Sequence, residues 1–147
     1  MKYLEAFAHE RCPDSIVFVG YFSDMSAAYS ELDVLMVPSH CEESFSLSAA
    51  EAMSYGLPVI GTLRGGIPEV LGYELREWLV PSENPAALAE KIVLLAKDAS
   101  LRERVGRKAH SQASQNLTLE RCSRQMIEEY NSLVFRRQGT GPEGACE

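Results

Sequence analysis

Two glutamates, Glu43 and Glu51, lie in the segment CEESFSLSAAEAMSYGLPVIGT at residues 41–62, on either side of a short run of serine, alanine and apolar residues. A carboxylate resists burial unless hydrogen bonds or opposite charges compensate it. Hydroxyl and amide groups are suitable partners, and the diol of a ribose would supply two hydroxyls. The chemistry of these two acids therefore depends on the elements that position them.

Two local structures compete for Glu51. In the first, SAAE at 48–51 is a capping box, in which the Glu51 carboxylate accepts a hydrogen bond from the Ser48 amide and serves only the helix. In the second, the helix begins nearer Ser46, and Glu51 lies within it, about 40° around from Leu47 at 100° per residue. The spacing by itself favours the capping box and leaves ligand binding open. For Glu43 the corresponding alternative is an exposed loop acid.

The apolar pattern predicts an α/β fold with a parallel sheet. Unbroken runs of β-branched, aromatic and other apolar residues are typical of strands that are covered on both faces. Short helices are predicted between such runs, one capped by Ser23 or Asp24 and one over about 44–55 that ends at Gly56. Alternation of strands and helices indicates parallel pairing. The predicted strands are IVFVG at 16–20, DVLMVPS at 33–39, LPVIGT at 57–62 and EWLVPS at 77–82.

Helices are predicted at both ends of the chain. YLEAFAHERC at 3–12 precedes the first strand, whereas a doubly wound domain normally opens with a strand, so we expect a domain whose first βαβ portion is absent. Three helices follow Pro81, the first with Asn84 as its cap and Pro85 at its first position. The final segment, 136–147, has the composition of a disordered tail.

Composition excludes several classes of function. A net charge of −7 argues against a nucleic-acid surface, because no cluster of basic residues could neutralise a row of phosphates. No apolar run reaches the length of a membrane span, and the composition of the first residues predicts no signal peptide. The four cysteines have no metal-ligand or redox spacing, so we expect free thiols in a cytoplasmic protein without a metal site.

Two loops at one edge of the predicted sheet could receive a ligand. In open α/β sheets, ligands bind beyond the carboxyl ends of the strands. PSHCEES at 38–44 leads into a helix whose N-terminal amides and dipole suit a phosphate or diphosphate. GTLRGGIPE at 61–69 follows the next strand, and Gly65 and Gly66 can adopt positive φ angles there.

The segment VPSHCEESFSLSAAEAMSYGLPVIGTLRGGIPEVL strongly resembles the donor-binding segment of retaining glycosyltransferases of the family 4 type, which have the two-domain GT-B fold. The family pattern is a Glu, seven residues, a Glu-Ala pair, then Gly-x-Pro-Val and Gly-Gly-x-x-Glu. Glu43, Glu51-Ala52, Gly56 to Val59 and Gly65 to Glu69 match it in order and spacing. The resemblance runs from about Tyr3 to about Tyr130.

The resemblance implies a fold and a set of site residues. The fold is a Rossmann-like parallel sheet flanked by helices, the C-terminal donor half of GT-B without its first strands, with residues 1–135 as a partial nucleotide-sugar-binding domain. Glu43 is then the catalytic candidate that faces the sugar, and Glu51 holds the ribose hydroxyls. The other implied donor-binding residues are Ser44, Phe45, Ser46, Leu47, Gly65 and Gly66, with Gly20, Tyr21 and Phe22 near the base.

The implied function is hexosyl transfer, with retention of configuration, from a nucleoside-diphosphate sugar such as a UDP- or GDP-sugar, without a cofactor. Two departures from the family pattern matter. Ser46 stands where the family usually has glycine, and the family's diphosphate-binding Arg and Lys belong to a segment that would precede Met1. We therefore expect the isolated chain to be inactive without an acceptor-binding N-terminal domain on a longer chain or partner, through which it could also contact a membrane peripherally. The alternative is a non-catalytic, truncated module that binds nucleotide sugars.

Overall fold

The computed structural model describes residues 2–13 and 15–138, and these residues separate into two compact units, one up to Glu31 and one from Leu32 onward. The first unit contains helices α1 (Lys2–Arg11) and α2 (Met25–Ser30). Asp24 caps α2, because its carboxylate accepts hydrogen bonds from the amides of Ser26 and Ala27. Of the two predicted caps, Asp24 is therefore confirmed.

The prediction of a strand at 16–20 is wrong. These residues form no strand, and their apolar side chains are exposed, with Val17 79% and Val19 65% accessible. A strand covered on both faces needs a hydrogen-bonded neighbour and packed layers. No strand in the described part of the chain pairs with this segment, so its apolar composition alone does not order it.

The second unit is built on a parallel three-stranded sheet in the order β1 (Leu35–Val37), β2 (Val59–Thr62) and β3 (Leu79–Val80). Leu35 pairs with Val59, and Gly61 pairs with Leu79. The central strand is buried along its whole length. β1 is an edge strand with Met36 46% exposed, so the prediction that it is covered on both faces is wrong. Three of the four predicted strands are thus present.

Helices flank this sheet. Two of them, α4 at Ile67–Leu71 and the 3-10 helix that follows it, were not predicted, although Pro68 in the first turn of α4 is a common signal for a helix start. The last helix continues to Gln138, into the predicted tail, and residues 139–147 lie outside the described residues. The elements are α3 (Leu47–Ser54), α4 (Ile67–Leu71), the 3-10 helix (Tyr73–Trp78), α5 (Pro85–Lys97), α6 (Ala99–Asn116) and α7 (Leu119–Gln138).

Local capping begins α5 and α6. Asn84 accepts a hydrogen bond from the Ala87 amide at 3.0 Å, as its position before Pro85 predicts. Asp98 caps α6 in the same way, and hydrogen bonds from the Ser100 hydroxyl and the Leu101 amide hold the pKa of its carboxyl below its usual value.

The core lies between the sheet and these helices, and α3 packs most extensively against α6. Glycine permits a close approach of α6 to the chain just after α3, because a Cβ at Gly106 would lie 2.1 Å from the carbonyl oxygen of Gly56. The largest fully buried side chains are Met53, Val59, Ile60, Ile67, Val70, Leu71, Leu75 and Leu95. This packing fixes the position of α3 relative to the strand ends.

Among the described residues, no helix is both long and apolar enough to cross a membrane. The same part of the chain holds no cluster of three or more histidine, cysteine or acidic residues suited to a metal ion.

Candidate functional site

The candidate site lies at the carboxyl ends of the three strands, where the loops at 38–46 and 63–66 meet. Glu43 is in the first loop, and its carboxylate accepts a hydrogen bond from the Ser39 hydroxyl. Its carbonyl oxygen accepts a hydrogen bond from the Gly66 amide at 2.7 Å. Glu43 is half-buried, so it is not the exposed loop acid of the alternative interpretation.

The glycine pair packs directly on the backbone of the first loop. A Cβ at Gly65, where φ is +48°, would lie 2.0 Å from the Glu43 carbonyl oxygen. A Cβ at Gly66 would lie 2.5 Å from the Ser44 carbonyl oxygen. Real Cβ atoms do not approach backbone atoms this closely, so only glycine permits the two loops to meet here.

Arg64 is engaged by an acid of the first loop. Its Nη1 atom lies 3.4 Å from one carboxylate oxygen of Glu42. The other carboxylate oxygen of Glu42 accepts a hydrogen bond from the Gly65 amide. One terminal nitrogen of the Arg64 guanidinium is therefore paired beside the candidate site, whereas its buried Nε has no hydrogen-bond partner among the described residues. A phosphate at this edge of the sheet would have to compete with Glu42 for this cation.

Ser46 is the N-cap residue of α3 and has a left-handed backbone, with φ 66° and ψ 74°. Its side chain makes no capping hydrogen bond, and its buried Oγ has no hydrogen-bond partner among the described residues. The first amides of a helix have no partner inside the helix. The left-handed backbone gives a physical reason why glycine is the usual residue in the family pattern at this position.

The Ser46→Gly variant should therefore be more stable than the wild type by about 1 kcal/mol, because it relieves a left-handed non-glycine backbone and removes a buried unpaired hydroxyl. Urea denaturation would measure the change. Ser46→Ala is the matched control, since it removes the hydroxyl and retains the backbone strain. A Ser46→Gly variant less stable than Ser46→Ala would contradict the strain argument.

Glu51 lies within α3, which begins at Leu47, so the capping-box interpretation is wrong. Ser48 is already helical and cannot be the N-cap. The Glu51 side chain lines a groove of about 370 Å³ between α3 and α6, on the same face of α3 as Leu47 and Ala50. Phe45 and His110 also line this groove, which gives Glu51 access to a ligand along the side of α3.

The structure brings most of the predicted site residues together, on and beside one helix N-terminus. Glu43, Ser44 and Phe45 precede α3, and Gly65 and Gly66 pack against their backbone. Gly20, Tyr21 and Phe22 belong to the other unit, residues 1–31, so their proximity to the base stays a prediction.

The sequence did not predict three hydroxyl residues of the site, which are Ser39, Thr62 and Ser82. Thr62 donates its hydroxyl to the Ser39 carbonyl at 2.9 Å, and the Ser82 hydroxyl donates to the same carbonyl at 3.4 Å. Each of the three residues ends or closely follows a predicted strand. Because carboxyl ends of adjacent parallel strands meet at one edge, this placement is a signal that could have identified them.

Comparison with known proteins identifies the family to which the chain is similar. A model of the family described as glycosyl transferases group 1 matches residues 1–98. Spore coat protein SA of Bacillus subtilis (strain 168) is 31% identical over 124 residues, covering 80% of this chain and 32% of that protein. D-inositol 3-phosphate glycosyltransferase of Saccharomonospora viridis is 31% identical over 122 residues, covering 83% of this chain and 28% of that protein. The chain spans about a third of the length of these relatives.

Solved structures support the predicted fold class. The C-terminal domain of a glycosyl transferase group 1 family protein from Francisella tularensis has a TM-score of 0.71 at 28% identity, covering 80% of this chain and 62% of that chain. The Anabaena protein HepE, solved in complex with UDP, has a TM-score of 0.80 at 23% identity, covering 89% of this chain and 36% of that chain. The predicted fold is thus confirmed: an open parallel sheet flanked by helices, part of the C-terminal domain of a GT-B fold.

Proposed function

Because the chain belongs to the glycosyl transferases group 1 family, we propose that it is the donor-binding part of a retaining glycosyltransferase of the family 4 type. The whole protein would transfer a hexosyl group from a nucleoside-diphosphate sugar to an acceptor. The observation that carries the proposal is the meeting of Glu43, the first turn of α3 and the glycine pair at the carboxyl ends of β1 and β2.

Each part of this arrangement suits one part of the donor. The unpaired amides and positive dipole end of α3 favour the diphosphate. Glu51, one turn further along, can accept hydrogen bonds from the two ribose hydroxyls, and charged acceptors make the stronger hydrogen bonds. Glu43, held in the loop before α3, is then the acid that faces the sugar.

Transfer also requires that the charge developing on the leaving diphosphate be stabilised. The described residues place Arg64 near the site, and its guanidinium is paired with Glu42. We therefore assign the neutralising cations and the acceptor site to an N-terminal domain on a longer chain or a partner. By this division, the chain binds the donor and the assembled protein performs the transfer.

The Glu51→Gln variant should bind nucleoside diphosphates roughly tenfold more weakly than the wild type, because the ribose hydroxyls lose a charged acceptor. Calorimetric titration with UDP and GDP would measure this, and the complex of HepE with UDP makes UDP the first probe. Glu90→Gln, on the exposed side of α5, is the matched control and should change neither affinity nor melting temperature. A Glu51→Gln variant with full affinity and a lowered melting temperature would show that Glu51 serves the fold instead.

A further inference from the structure

We propose that Ser39 is a positioning residue, whose hydroxyl holds the Glu43 carboxylate in the orientation that meets the sugar of the donor. This inference rests on the proposed function, since it takes Glu43 as the acid that faces the sugar. Ser39 follows Pro38 at the end of β1, four residues before Glu43. Its hydroxyl donates directly to the Glu43 carboxylate.

Ser39 is itself fixed by the ends of the two neighbouring strands. Its carbonyl oxygen accepts two hydrogen bonds. One comes from the hydroxyl of Thr62, at the end of β2, and is 2.9 Å long. The other comes from the hydroxyl of Ser82, in the segment after β3, and is 3.4 Å long. Both donors are far from Ser39 in sequence, so these bonds join the ends of three strands. Ser39 therefore has a fixed position from which to hold another side chain.

The backbone of Glu43 is also fixed, by the Gly66 amide and by the close packing of Gly65. What remains free is the rotation of the Glu43 side chain, and ordering such a side chain costs conformational entropy. The Ser39 hydroxyl removes this freedom before a ligand binds. A preorganised acid binds its ligand group more tightly than a mobile one.

Ser39 makes two kinds of hydrogen bond, and mutation can separate them. The bonds from Thr62 and Ser82 go to the backbone carbonyl, which every residue type retains. Only the bond to Glu43 uses the serine hydroxyl. Ser39→Ala therefore removes the positioning bond and leaves the bonds that join the strands, whereas Ser39→Thr retains all of them.

Paired titrations of the whole chain would test this role. The probes are UDP with UDP-glucose, and GDP with GDP-mannose. Ser39→Ala should weaken binding of the nucleotide sugar roughly five- to tenfold and leave the nucleoside diphosphate unchanged, because only the sugar meets Glu43. Ser39→Thr should restore the sugar affinity. Ser132→Ala, which removes a helix-surface hydroxyl of α7, should change neither value. Equal changes for both ligands, or no change for either, would overturn the proposal.

The Glu43 side chain offers a readout that needs no ligand. Three-bond NMR couplings across its χ1 angle should report one rotamer in the wild type and in Ser39→Thr, and averaged rotamers in Ser39→Ala. A single rotamer in Ser39→Ala would overturn the positioning role. If the wild type binds none of the four probes, the proposed function fails, and the couplings still decide whether Ser39 orders Glu43.

Discussion

The Gly106→Ala variant should unfold more easily than the wild type, by about 3 kcal/mol. A Cβ at Gly106 would lie 2.1 Å from the carbonyl oxygen of Gly56, and a backbone atom cannot turn aside as a flexible side chain can. Alanine in place of glycine normally stabilises a helix by about 1 kcal/mol, so the contact with Gly56, two residues after the end of α3, reverses the sign of the effect. Urea denaturation would measure the loss, as a lower midpoint concentration of urea with an unchanged m-value.

A matched control isolates the contact. Lys108→Ala changes an exposed position of the same helix, and its free energy of unfolding should stay within about 0.5 kcal/mol of the wild type. If Gly106→Ala were as stable as the wild type, α3 and α6 could not cross this closely. Because α3 carries Glu51 and presents its N-terminus to the site, we also expect Gly106→Ala to weaken binding of UDP and GDP.

The second large effect concerns the glycine pair. Gly65→Ala should lower the free energy of unfolding by about 2–3 kcal/mol and weaken binding of nucleoside diphosphates by more than about tenfold. The added Cβ would lie 2.0 Å from the carbonyl oxygen and 2.5 Å from the amide nitrogen of Glu43, so one of the two loops must move. That movement would displace Glu43 and the residues that begin α3. Urea denaturation and calorimetric titration together would measure both losses.

Gly56→Ala is the matched control for Gly65→Ala. Both glycines have positive φ angles, and the nearest atom to a Cβ at Gly56 is 3.9 Å away. The control therefore carries only the backbone strain of a left-handed residue, about 1–2 kcal/mol, and should bind the nucleotides normally. Equal effects of the two variants on affinity would mean that the contact between the loops does not shape the site.

Signals that act between neighbours in the sequence predicted structure correctly. Asn84 and Pro85 begin α5, Gly56 follows the end of α3 with a positive φ angle, and Asp24 caps α2. Each depends on a hydrogen bond or backbone angle within a few residues, so the sequence contains the whole cause. The apolar runs also predicted the three strands after residue 33, but not α4 between the second and the third.

Signals that depend on distant partners did not predict the structure correctly. The apolar run at 16–20 has the composition of a buried strand, but strand formation needs a hydrogen-bonded neighbour that composition cannot supply. The capping box at 48–51 is locally reasonable, yet α3 begins one residue before Ser48. Its start is set by Ser46, whose left-handed backbone follows a loop that packs against Gly65 and Gly66.

By itself, the sequence determined which residues could perform chemistry, because the order of Glu43, Glu51 and the glycine pair is a property of the chain alone. Only the tertiary structure decided how they are held. The Glu43 carboxylate accepts a hydrogen bond from the Ser39 hydroxyl. The Ser39 carbonyl accepts hydrogen bonds from Thr62 and Ser82, which lie at the ends of strands that are far apart in the sequence. Such bonds exist because parallel pairing brings strand ends to one edge of the sheet, and no pattern within one segment contains that information.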